Sequence, residues 1–164
     1  MSWVRAFARQ ACSDFDAWDC LCRSAAVDQC QRLHALQMAL EKAAKAHLIA
    51  TGVDPMAIQS SHAYIAKHIP RIVASELGRA RGVDSRWVML AVRKLARRIE
   101  LLHPQVDDGG AVPANCEYPW QNAAGEIVAP ADYNFSLNLQ AEKAALTMIK
   151  TVRARVAALA TGAD

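Results

Sequence analysis

Apolar side chains recur at helical spacing along most of this chain of 164 residues. Positions three or four apart share one face of a helix, so the repeats predict five helices, at about residues 13–24, 26–51, 60–79, 86–102 and 136–160. Residues 103–134 are rich in glycine and proline, which predicts a long irregular loop with a short strand at 126–128. The pattern favours an all-α fold in one domain, residues 1–164. The architecture is an up-and-down bundle of four long helices plus a short N-terminal helix.

Local signals indicate where these helices begin and end. Ser13 is the expected N-cap of the first helix, and Gly52 is the expected end of the second. Ser60 or Ser61 is expected to cap the third helix. Pro70 lies inside that helix and predicts a kink or a split, because proline lacks the N–H that an interior position donates. The last helix is expected to bury a stripe of small and branched side chains, Ala141, Ala145, Met148, Ile149, Val152, Val156 and Leu159.

Polar residues interrupt two of the predicted apolar faces. Gln37 falls inside the stripe of the second helix, Glu41 lies at its border, and His62 shares a face with Ile65 and Ile69 of the next helix. A buried amide or carboxylate costs free energy unless it has a partner. We therefore expect Glu41 and His62 to meet and, with Gln37, to frame a buried polar pocket. The alternative is a hydrogen-bonded core histidine that only fixes the packing.

The same stretches carry further polar residues and one aromatic segment. They are Gln37, Glu41, Lys42 and Lys45 in the second helix, Ser61 and His62 at the third, and Glu117, Tyr118, Pro119 and Trp120 ahead of the last. Over about residues 12–160 the chain thereby resembles the compact prokaryotic members of the HEPN family, the nucleotide-binding helical domains of prokaryotes and eukaryotes. The resemblance implies a module that binds a nucleotide, RNA or a protein partner, in a bacterial defence or toxin–antitoxin setting, and acts as a homodimer. A purely structural dimerisation module is an alternative.

Arg98 and His103 have the spacing of the catalytic pair in ribonuclease members of this family. The resemblance implies, as a second alternative, a metal-independent ribonuclease in which the arginine holds the phosphate and the histidine moves protons. RNA supplies its own 2′-hydroxyl nucleophile, so no cofactor is expected. Two features depart from the family pattern: Ile99 replaces a small polar residue, and the pair closes a helix rather than opening one. Otherwise His103 is an exposed residue at a helix end.

Basic residues form a stripe on the fourth predicted helix. Arg86, Arg93, Lys94 and Arg97, with Arg98, lie within an arc of about 120°. A stripe of one sign suits phosphate binding, although a solvated face is the common alternative. Trp87 at its border is expected either to stack on a base or to anchor the bundle.

Charge, hydropathy and cysteine content further narrow the possible classes of protein. The net charge of +3 is too small to indicate nucleic-acid binding by itself, and no apolar run is long enough to span a membrane. The first ten residues lack a secretory h-region, so a cytoplasmic protein is expected. Five cysteines without a signal argue against a disulfide framework. A metal site would use Cys20, Cys22, Cys30 and His34, but the first two point about 200° apart on a helix, so no metal is expected.

Overall fold

The computed structural model describes residues 1–79, 86–106 and 114–162. Its helices are α1 (Trp3–Cys22), α2 (Gln29–Ala50), α3 (Pro55–Ile58), α4 (Ile65–Arg79), α5 (Arg86–Glu100) and α6 (Lys143–Thr161). Two short strands, β1 (Trp120–Gln121) and β2 (Ile127–Val128), and a 3-10 turn at Pro130–Asp132 lie between α5 and α6. The predicted all-α helical bundle is confirmed, as is the short strand at 127–128.

Helix α1 is a full-length helix, so the prediction of a short N-terminal helix capped by Ser13 is wrong. Its N-cap is Ser2, whose Oγ accepts a hydrogen bond from the Arg5 N–H at 3.3 Å. The buried stripe of the helix continues back through two alanines, Ala11 and Ala8, which are completely buried. Small side chains give a weak periodic signal, although they allow close helix packing.

Helix α4 begins later than predicted, at Ile65, so neither Ser60 nor Ser61 is its N-cap. The connection from α2 instead contains α3, which Asp54 caps by accepting the Met56 N–H at 3.0 Å. Pro70 does not split α4, which is continuous to Arg79. Pro70 and the neighbouring apolar face of the helix are buried in the core, and this packing stabilises the helix despite the missing donor.

The segment predicted to open the last helix is extended instead. Ser136 has a φ of +52°, a left-handed conformation that is incompatible with a helix. Leu137 and Leu139 are then buried while the residues between and after them are exposed, the alternation of an extended chain. Helix α6 begins only at Lys143, and Ala141 is exposed rather than part of the core. The six remaining predicted core positions of α6 are buried.

The long connection before α6 is held on the bundle by aromatic packing. Trp120 pairs with Val128 in the antiparallel β1–β2 hairpin, and its ring packs edge-on against Tyr133, with ring centroids 5.1 Å apart. Tyr133 in turn packs edge-on against Phe135 at 5.0 Å. Residues 107–113 of the predicted loop lie outside the described residues.

One contiguous hydrophobic cluster joins the long helices. The strongest helix pairs are α1 with α2, α4 with α5, and α1 with α6, while α2 also contacts α4. Helix α2 is the most buried element and carries most of the polar residues considered next. Among the described residues, no helix has the combination of length and hydropathy that crossing a bilayer requires.

Candidate functional site: a buried polar cluster

Three polar side chains on successive turns of α2 are buried. Gln37, Glu41 and Lys45 are 1%, 3% and 4% exposed, and their spacing of four residues places them on one helix face. Lys45 Nζ lies 2.8 Å from Glu41 Oε1, and it also donates to the carbonyl of Gln59 at 3.2 Å. Gln37 Nε2 donates to Glu41 Oε2 at 3.4 Å. The Glu41 carboxylate is therefore the centre of the cluster.

His62 approaches Glu41 from the turn that precedes α4. Its Nδ1 lies 3.1 Å from Glu41 Oε2, so the structure brings together all three residues of the predicted polar pocket. His62 retains 26% side-chain exposure and is the most accessible of the three. On its other side, the His62 ring stacks on the ring of His103, with centroids 3.8 Å apart and planes 13° apart.

Glu117 adds a second carboxylate from the loop. Asn115 Oδ1 accepts the N–H groups of both Glu117 and Tyr118, at 2.9 and 2.8 Å, and this turn directs the Glu117 side chain inward. Glu117 Oε1 lies 3.6 Å from His103 Nε2 and 3.7 Å from His34 Nδ1. The Glu–Tyr–Pro–Trp segment noted in the sequence therefore closes the cluster, a role that its composition alone did not indicate.

His103 has a defined tautomer in this setting. The Gln105 N–H donates to its Nδ1 at 3.2 Å, so the neutral ring carries its proton on Nε2, which faces Glu117. Burial lowers the pKa of His103, and His62 lowers it further, against the opposing effect of the Glu117 and Glu41 carboxylates. His103 is thus a buried neutral histidine rather than an exposed helix-end residue.

Glu41, His62 and His103 each offer one ligand atom, and these atoms lie within 4.8 Å of one another. One carboxylate and two imidazoles are a donor set that zinc or iron accepts. However, a metal lies in the plane of each imidazole that binds it, and these two rings are stacked face to face. The Lys45 ammonium and the Gln105 N–H also occupy a Glu41 oxygen and the His103 Nδ1. In this conformation Glu41 is the centre of a hydrogen-bonded network, and metal binding would require at least one of the two rings to turn.

The structure does not bring the predicted catalytic pair together. Arg98 Nη2 donates to the backbone carbonyls of Ser136 and Phe135, at 2.9 and 3.4 Å. His103 is 6% exposed and faces the polar cluster. Within the described part of the chain no hydrogen bond joins Arg98 to His103. The ribonuclease alternative therefore stays a prediction, one that would need both side chains to leave these contacts.

The predicted phosphate-binding residues on α5 divide into two groups. Arg86, Arg93 and Lys94 are exposed, whereas Arg97 Nη1 lies 3.1 Å from the Oε2 of the buried Glu100. Trp87 beside them is 78% exposed, so it does not anchor the bundle as one interpretation held. Helix α5 therefore presents an aromatic ring and basic side chains on the same solvent-facing surface.

Glu100 is a structural residue that sequence reasoning missed. Its Oε1 accepts the Ala66 N–H at 2.9 Å, which supplies an acceptor to the first turn of α4. A carboxylate in the last turn of its own helix is unfavourable, because that end carries partial negative charge. An acidic residue at this unfavourable position was the sequence signal that Glu100 accepts a hydrogen bond from the N-terminus of another helix.

Comparison with family models, with curated proteins and with solved structures found no match to this chain.

Acid is expected to destabilise the protein through its buried histidines. Burial, helped by Arg71, Lys67 and His47, lowers the pKa of His68 to about 4, and burial also lowers the pKa values of His47 and His103. The pKa of a histidine in the unfolded chain is about 6.5. Between this pH and the lower pKa in the folded protein, only the unfolded chain binds a proton at that histidine. Each histidine therefore lowers the free energy of unfolding by up to about 1.4 kcal/mol per pH unit as the pH falls.

Urea denaturation at pH 7.5, 6.5 and 5.5 measures this dependence. In the His68→Leu variant the loss of stability between pH 6.5 and 5.5 should be smaller than in the wild type, because one of the shifted groups is gone. A wild-type unfolding free energy that does not change over this range would contradict the prediction.

Proposed function

We propose that this protein is a helical module that binds single-stranded RNA through the solvent-facing surface of α5. The observation that carries the proposal is the exposure of Trp87, 78%, beside exposed basic residues on the same helix. The resemblance of the sequence to HEPN domains favours the same class of ligand. We call this surface, formed by Arg86, Trp87, Leu90, Arg93 and Lys94, the α5 surface.

The spacing of these residues gives the α5 surface the form of a binding strip. Trp87, Leu90 and Lys94 follow at intervals of three and four, so they lie along one side of the helix. Arg86 and Arg93 are two turns apart on the adjoining side. Leu90 is itself 45% exposed, which extends the apolar part of the strip beyond the indole ring. The strip therefore combines a stacking platform with positive charge.

The charges of the α5 surface favour an anionic partner. Arg93 and Lys94 form no ion pair or hydrogen bond through their side chains in the described residues, whereas Arg97 is already engaged with Glu100. Single-stranded nucleic acid matches this combination, because its bases stack on aromatic rings and its phosphates meet basic side chains. Stacking on an aromatic side chain needs no particular base, so we expect binding with little sequence preference.

Titration of a fluorescein-labelled 12-nucleotide oligouridine, followed by anisotropy over a series of salt concentrations, tests the proposal. Trp87→Ala should weaken binding by about 5- to 100-fold, the usual contribution of one stacked base. Arg93→Gln with Lys94→Gln should reduce the slope of log affinity against log salt by about 1.4, because two phosphate contacts are lost on a single strand. Trp87→Phe should retain much of the affinity.

A matched control separates a defined surface from net charge. Lys143 and Lys150 are exposed on α6, and changing both to glutamine removes the same charge. This variant should keep wild-type affinity. Equal losses in the two charge variants, or an unchanged affinity of Trp87→Ala, would contradict the proposal. Sedimentation that shows a dimer lost in Trp87→Ala, with no RNA binding, would assign the surface to self-association instead.

A further inference from the structure

A cavity of about 400 Å³ opens between the end of α1, the start of α2 and the extended segment at 134–140. It shares no residue with the buried polar cluster or with the α5 surface. Trp18 and Leu33, 7% and 3% exposed, contribute apolar walls. Arg32, Asn134, Asn138 and Gln140 bring charged and amide groups to its lining. The volume lies within the range of small-molecule sites.

Hydrogen bonds from Gln29 and Arg98 hold the extended segment, which forms one wall of the cavity, in place. Gln29 holds it at two points: its Oε1 accepts the Phe135 N–H at 3.1 Å, and its Nε2 donates to the Leu137 carbonyl at 3.2 Å. Arg98 holds the Ser136 carbonyl at 2.9 Å. These bonds flank Ser136 and stabilise its left-handed backbone, which costs free energy for a residue with a Cβ. Arg98 thus helps to hold one wall of this cavity in place.

The charged side chain in the described lining of the cavity is a cation, Arg32. Arg32 is half-buried and is the only charged side chain among the described lining residues. It makes no hydrogen bond or ion pair in the part of the chain that the structure describes. A guanidinium beside apolar walls is a strong binding site for a carboxylate or phosphate, to which it donates two parallel hydrogen bonds. The amides of Asn138 and Gln140 can hydrogen-bond the remainder of a ligand.

We propose that this cavity binds a small organic anion with an apolar body. The carboxylate or phosphate monoester of the ligand pairs with the Arg32 guanidinium, and its apolar part packs against Trp18 and Leu33. This site is independent of RNA binding at the α5 surface, because the two share no residue. Arg32 lies on α2 and the RNA-binding residues lie on α5.

Two-dimensional ¹H–¹⁵N NMR tests the proposal with phenylacetate and phenyl phosphate as probes and neutral phenylacetamide as the uncharged control. Either anion should shift the Trp18 indole and the Asn138 and Gln140 side-chain amide signals in a saturable way. The amide should bind at least 10-fold more weakly. The relative affinity of the two anions tells whether the site prefers a carboxylate or a phosphate.

Substitutions test whether anion binding in the cavity depends on Arg32. Arg32→Gln should lower the affinity for the better anion by about 10- to 100-fold, as expected for loss of a charged hydrogen-bonding partner. Asn138→Asp, at an exposed position, should also weaken binding, because it places a negative charge on the rim. Lys150→Gln, at an exposed position of α6 outside both proposed sites, is the matched control and should bind the anion normally. Failure of both anions to shift these signals at millimolar concentration, or unchanged affinity in Arg32→Gln and Asn138→Asp, would overturn the proposal.

Discussion

Replacing Glu41 with glutamine is expected to lower the free energy of unfolding by about 3–5 kcal/mol, because it leaves the buried Lys45 ammonium without its counter-charge. The substitution preserves the side-chain volume, so the loss reports the charge pair rather than a cavity. Lys45 is 4% exposed, and apart from Glu41 its hydrogen-bond acceptor among the described residues is the Gln59 carbonyl, at 3.2 Å. Urea denaturation at pH 7.5, followed by the helical circular dichroism signal, measures the change.

Two further variants give this experiment its controls. Asp14→Asn removes the partner of Lys42, a pair whose side chains are about one-fifth exposed, and should cost about 1 kcal/mol. Replacing both buried charges, Glu41→Leu with Lys45→Met, should recover part of the stability lost in Glu41→Gln, since apolar residues of similar size often substitute for buried ion pairs. The recovery should be incomplete, because Gln37 and His62 lose their acceptor. A loss of unfolding free energy in Glu41→Gln no greater than that in Asp14→Asn would show that burial does not increase the cost of breaking the Glu41–Lys45 pair.

Leu40→Ala is expected to cost about 2–5 kcal/mol in the same measurement, through lost burial and the cavity that remains. Leu40 is completely buried on α2, next to Glu41 in sequence but facing the apolar core. Leu146→Ala on α6, where the leucine is 50% exposed, is the control and should cost less than about 1 kcal/mol. Similar losses in the two alanine variants would mean that α2 is not the centre of the core.

Together these two predictions concern a helix whose buried side chains are both apolar and polar. Leu40 packs in the apolar core, and the Gln37–Glu41–Lys45 row lies beside the apolar stripe. A polar row buried in a bundle specifies its neighbours, because each group must find its own partner. His62 is one such neighbour and contacts Glu41 directly. Glu117 is the other: it lies close to His103, whose ring stacks on that of His62.

Spacing along the chain predicted the helical class, the C-terminal end of α2 and the meeting of Glu41 with His62. Helical periodicity is a local property, and the left-handed Gly52, with a φ of +96°, ends α2 as expected. The polar positions on two consecutive apolar faces required partners, and we expected Glu41 and His62 to meet for that reason. These conclusions needed only spacing along the chain and the cost of burying polar groups.

Which other residues join Glu41 and His62 depends on contacts between segments that are distant in the sequence. His103 and Glu117 reach the cluster from a helix end and a loop, and no spacing rule relates such segments to α2. Trp87 is exposed because none of the elements that the structure describes covers it, whereas Arg98 is held by backbone carbonyls of an extended segment that was expected to be helical. Residues 137–142 leave the helix because packing of Leu137 and Leu139 and the bonds from Gln29 outweigh local propensity. Burial and long-range hydrogen bonds depend on the positions of all the elements together, and local sequence does not contain them.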